Sequence, residues 1–144
     1  MEVVHDLSYM LPLLIAAFLA IVFLQSGIDK LFDWKGNLTW LNSHFEKTIL
    51  GGFVPVLLGI VTLFELLAGV LAVFGAIYYL LKGTTFWINQ SLIVAMISLL
   101  MLIFGQRIAK DYEGAKTIAI YFGVALISAL ILSWLWAIEL PLDK

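Results

Sequence analysis

Cysteine is absent from this 144-residue chain. Its absence excludes disulfides, cysteine nucleophiles, thiolate zinc sites and iron–sulfur clusters, and leaves the redox compartment open. Charge is scarce too: Asp, Glu, Lys and Arg make up 12% of the residues, against about 25% in soluble globular domains. A net charge of −2 offers no electrostatic footing for nucleic acid, which is not expected as a partner. Histidine is limited to His5 and His44, which fall on opposite membrane sides in the topology derived below. A haem held between them, or any intrinsic metal, is therefore not expected. The N-terminal stretch carries Glu2 and Asp6 but no Lys or Arg before the first apolar run. A secretory leader begins with positive charge, so the first run is read as a mature membrane helix.

What the chain has instead is apolar length. Hydrophobic residues reach 63%, more than one small globular core can hide from water. About 20 consecutive apolar residues cross the hydrocarbon layer as a helix, and the chain offers four such runs. They cover about residues 9–28, 53–81, 86–105 and 115–138. Pro12 falls in the first turn of the first run, where a missing N–H costs little. The second run exceeds one span, so it must tilt or project; Pro55 lies near its start and Lys82-Gly83 ends it. Thr84 and Thr85 are N-cap candidates for the third. Trp134 and Trp136 close the fourth at a headgroup belt, before Pro141. Open strands would leave backbone groups unsatisfied in lipid, and barrel strands would show short alternating segments. The expected fold is an all-α integral membrane protein, one domain over residues 1–144, built as a four-transmembrane-helix bundle.

The connection between runs one and two is the long one. Leu38, Leu41, Phe45 and Ile49 recur there at helical spacing, with Asn42, Ser43, Glu46 and Lys47 between them. The pattern predicts a short amphipathic interfacial helix over about 38–50, with Asn37 as N-cap, Gly51-Gly52 as its stop, and Trp34 and Trp40 at the interface. An irregular loop with scattered apolar residues is the alternative. Six of the eight Lys/Arg residues (Lys30, Lys35, Lys47, Arg107, Lys110, Lys116) fall in the first and third connections, while Lys82 and Lys144 lie on the terminal side. The positive-inside rule then puts those connections in the cytoplasm and both termini in the periplasm.

Polar residues within the runs are the functional candidates. Glu65 stands in IVTLFELLAGVLAVFG, where an ionised carboxylate is costly and must stay neutral or find a cation. Its face continues through Ala68, Gly69, Ala72 and Ala76; small residues either admit another helix closely or leave room for a ligand. Glu65 is thus a helix-pinning group or a ligand or proton site. Gln25 and Asp29, four apart near the end of run one, share a face. Lys30 either snorkels towards Glu65 or simply marks the membrane boundary. On the same side, Gln106, Arg107, Lys110, Asp111 and Tyr112 either close the mouth of a cavity leading to Glu65 or form a solvated turn. Asn89 and Gln90 enter run three from the opposite side. Together, Glu65, Lys30, Gln25, Asp29, Gly69, Gln106, Asp111 and Tyr112 outline a candidate pocket for an amphipathic small molecule. No nucleophile–base pair, phosphate loop or metal-ligand spacing names a reaction.

The order of these features resembles the DoxX family of small bacterial membrane proteins. The likeness rests on Gly27 to Lys30 within QSGIDK, on Glu65-Leu-Leu-Ala-Gly69 followed by Gly75, and on the stretches FLQSGIDKLFDWKGNLTWL and LMLIFGQRIAKDYEGAKTIAIYF. The latter two look like members from the Bacteroidetes, and the likeness covers essentially the whole chain. It implies a multi-pass inner-membrane protein. Founding relatives are associated with quinol oxidase or thiosulfate:quinone oxidoreductase systems, and distant ones include an animal assembly chaperone for nicotinic receptors. This chain departs from many members in lacking cysteine and in beginning with acidic residues. The resemblance implies a non-catalytic accessory or assembly subunit without an intrinsic cofactor. Its ligand would be a quinone or another lipid, and its partners the bilayer and a respiratory or other membrane-protein complex, or further copies of itself. A catalytic quinone-linked subunit using Glu65 as proton donor or acceptor, and a small transporter, are the competing readings.

Overall fold

A computed structural model describes residues 2–139, with side chains over residues 7–137. Pro141 and Lys144 lie outside the described residues, as do the side chains of Glu2, His5 and Asp6. The elements run α1 (Glu2–Leu19), a π-helical turn (Ala20–Leu24), α2 (Gln25–Phe32), α3 (Trp34–Phe45), α4 (Val54–Lys82), α5 (Phe86–Ile108) and α6 (Tyr112–Glu139). Four helices are long and apolar enough to cross a membrane: Leu7–Phe32, which joins α1, the π turn and α2, and then Val54–Lys82, Phe86–Ile108 and Tyr112–Ala137. The protein is an all-α, multi-pass membrane bundle. Its outer surface carries Leu14, Ile21, Leu63, Val70, Leu100 and Leu130, apolar side chains whose natural solvent is lipid.

Short links after α4 and α5 make the last three spans successive antiparallel neighbours. Gly83 closes α4 in the left-handed conformation, φ 71°, which costs glycine nothing. Thr84 Oγ1 then meets the Phe86 N–H at 3.4 Å as α5 begins, and Thr85 makes no side-chain cap. The turn between α5 and α6 passes through Lys110 at φ 59°. Asp111 Oδ1 accepts from the Gly114 N–H at 2.9 Å and caps α6. The core runs between the spans through Ile15, Ala16, Leu19, Phe23, Ala68, Ala72, Ile88, Leu92, Ala95 and Leu132. A polar bond helps to stitch it: Ser91 Oγ donates to the Ala68 carbonyl at 2.7 Å.

Three local expectations are corrected. Helix α1 begins at Glu2, so Pro12 is interior to it and buried; packing against neighbouring helices makes an interior proline tolerable in a membrane span. The interfacial helix starts at Trp34 rather than 38, because Asp33 is its cap, accepting from the Gly36 N–H at 3.2 Å. Asn37 lies one turn inside and donates to the Asp33 carbonyl at 2.8 Å. That helix also stops at Phe45, so the apolar stripe ends there: Phe45 is buried and Leu41 half-buried, but Ile49 lies in the following turns, 80% exposed.

Candidate functional site

Span one meets α4 at two points of very close approach. A Cβ on Gly69 would lie 2.5 Å from Leu24 Cγ and 2.7 Å from the Leu24 backbone nitrogen, and one on Gly27 would lie 2.8 Å from the Leu66 side chain. The small-residue face of α4 is therefore filled by the neighbouring helix, not left open for a ligand. Leu24 is the last residue of the π turn. A π turn carries one residue more than an α turn needs, and the buried positions Leu19, Phe23 and Gly27 recur every fourth residue as that wider turn requires. Its effect is to aim Ser26 and Lys30, one turn apart on α2, at α4.

There they meet Glu65. Lys30 Nζ lies 2.8 Å from Glu65 Oε2 and donates to Oε1 at 3.1 Å. It also donates to Ser26 Oγ at 2.7 Å, and the Ser26 hydroxyl in turn donates to Glu65 Oε1 at 3.1 Å. The carboxylate is 2% exposed and the lysine 18%. The result is a closed three-member ring with its cation at the rim. Oε2 receives charge but no well-directed hydrogen bond, because Nζ aligns with Ser26 and Oε1 instead. Thr62, one turn below, is buried and donates to the Leu58 carbonyl, 2.7 Å away. On α5, Ser98 is fully buried, and its hydroxyl has no partner among the described residues. Equal numbers of residues separate Glu65 from Gly75 and Ser98 from Ile88. Gly75 packs on Ile88, so Ser98 lies at the level of the ion pair.

The other candidates divide. Gln25 and Asp29 are exposed on the outer face of span one, where they line a shallow groove of about 480 Å³ with Ala20, Ile21, Leu24 and Ile28. Asp111 reaches His44, at the end of α3, and Gln106 lies beside Asp111 in the α5–α6 turn. His44 Nε2 lies 3.7 Å from Asp111 Oδ2, and its ring stacks on Trp40 with centroids 4.6 Å apart. His44 Nε2 and Gln106 Oε1 are buried without hydrogen-bond partners among the described residues. This second cluster docks the interfacial helix under the α5–α6 turn, with Phe45 beside Gly105. Tyr112 is exposed beneath the Arg107 guanidinium, 4.9 Å from its ring centroid. A further groove, about 320 Å³, opens between α5 and α6, lined by Leu92, Met96, Ala129 and Leu132 with Asn89, Ser133 and Trp136.

Two participants, Ser26 and His44, stood outside the candidate pocket drawn from the sequence. Ser26 could have been found by its position four residues before Lys30, the spacing that puts both on one face. His44 carried no signal beyond its place on the polar side of a short helix. No family model, curated protein or solved structure matches the chain.

Proposed function

We propose that the protein is a DoxX-type subunit of the bacterial inner membrane, with both termini periplasmic. In this reading it serves as an accessory or assembly component that engages a quinone-like lipid or a membrane-protein partner and catalyses no reaction alone. The observation that carries the reading is the closure of the Ser26–Lys30–Glu65 ring. A proton donor or acceptor must come within hydrogen-bond reach of its substrate. Glu65 is 2% exposed, and its neighbour Gly69 is covered by Leu24, so the carboxylate faces Lys30 and Ser26 rather than an open pocket. A buried pair of this kind fixes helix register and leaves recognition to the outer surface.

Mass spectrometry of gently solubilised protein tests this. The expected outcome is a stoichiometric lipid or protein partner, retained by a Glu65→Gln variant that inserts normally. Protein free of both, turning over a hydrophobic substrate at a rate that Glu65→Gln abolishes, would overturn it.

A further inference from the structure

Polar side chains on the lipid-facing surface of a membrane span are costly unless something covers them. Span one has two, on one face and one turn apart. Gln25 and Asp29 are both exposed, and neither side chain has a partner among the described residues. Asp29 lies in the last turn of span one. Exposed Ile28 precedes it, and exposed Leu31 and Phe32 separate it from Asp33 at the helix end. The cation beside it in sequence is already committed: Lys30 turns inward to Glu65 at 2.8 Å. The chain thus neutralises its buried acid and leaves its outward acid without a counter-charge.

We infer that the outer face of span one, through Ile21, Gln25, Ile28 and Asp29, docks a transmembrane helix of a partner protein that carries a basic side chain at the level of Asp29. Charge complementarity selects this occupant. A lipid tail would cover Ile21 and Ile28 but leave the carboxylate unpaired. A second copy laid helix to helix on this face would oppose one Asp29 to another. A partner lysine or arginine would pair with Asp29, the Gln25 amide would hydrogen-bond one turn deeper, and Ala20 and the shallow groove would admit the partner's backbone. This inference rests on the accessory-subunit reading and names that subunit's docking surface.

The lack of native cysteine gives a clean experiment. The full chain carrying a donor dye on Ser43→Cys is reconstituted in phosphatidylcholine vesicles. It is titrated with acceptor-labelled polyleucine transmembrane peptides bearing Lys, Leu or Glu one turn from the matching end. The Lys peptide should reach half-maximal transfer at a concentration lower by about five- to thirtyfold than the Leu peptide. Asp29→Asn should erase that preference, and Gln25→Leu should reduce it. Equal transfer from Lys and Leu peptides, or a Lys preference that survives Asp29→Asn, overturns the proposal. So does Asp29-dependent crosslinking between copies of an Ile28→Cys chain, which would make the occupant a second copy. Loss of the preference in protein that still copurifies with a stoichiometric partner sinks this surface alone; loss of every partner and lipid sinks the accessory reading.

Discussion

Lys30 and Glu65 have value to the fold only as a pair. Taking both charges out of water is costly, and their attraction repays it only with good geometry. Here the Ser26 hydroxyl completes that geometry by accepting from one and donating to the other. Removing the cation alone leaves a buried carboxylate with nothing but a serine. Lys30→Met should therefore cost about 3–5 kcal/mol, read as a lower midpoint in denaturant titration of the detergent-solubilised protein. The double variant Lys30→Met/Glu65→Leu should recover most of that loss, and a double variant as unstable as the single one would show that the pair is not the stabilising unit. The sequence exposed Glu65 through its cost in hydrocarbon and Lys30 through its reach. It did not expose which of Gln25, Ser26 and Asp29 faces inward, because an extra residue in a π turn rotates everything after it, and AIVFL carries no proline or glycine to announce such a turn.

At the scale of elements, the contact of span one with α4 depends on the missing side chain at Gly69. Gly69→Val would press a branched Cβ into the Leu24 backbone nitrogen, forcing the two helices apart. We expect a loss of about 1–3 kcal/mol and a weaker Lys30–Glu65 contact, seen as lowered thermal stability. Gly123→Ala is the control: nothing lies within 4 Å of its added Cβ, so it should be neutral or stabilising by up to about 1 kcal/mol. Equal effects of the two changes would remove Gly69 from its role. The existence of every helix was legible in the apolar runs, whereas their ends were displaced by capping chemistry. Asp33 began α3 a turn early, and Asp111 began α6 ahead of the apolar run. The interfacial helix could be read from Leu38, Leu41 and Phe45, but its docking could not, because the stacking of His44 on Trp40 and its approach to Asp111 join residues far apart in sequence.

For the molecule as a whole, the basic connections set the expected orientation. A periplasm-active reporter fused after Lys144 should be active, and one inserted between Gly36 and Asn37 should be silent, with a cytoplasmic reporter giving the reverse; activity of the cytoplasmic reporter at the C-terminus would invert the topology. The four-span architecture was readable from composition because lipid imposes it. The division of the polar residues into an inner ring, an outer face and a surface latch was not, since periodicity alone cannot tell a lipid-facing stripe from a core-facing one when both are apolar. The spans are also unequally held. The fourth is the least buried of the four; α6 packs chiefly on α5 and meets α1 only along a short stretch, and its Ser128 hydroxyl bonds within its own helix. No polar bond like that of Ser91 to Ala68 joins it to a neighbour among the described residues. The first three spans are therefore tied to one another by polar bonds, whereas the fourth is held chiefly by apolar packing on α5. In a bilayer this leaves α6 as the span that presents the largest share of its residues to lipid.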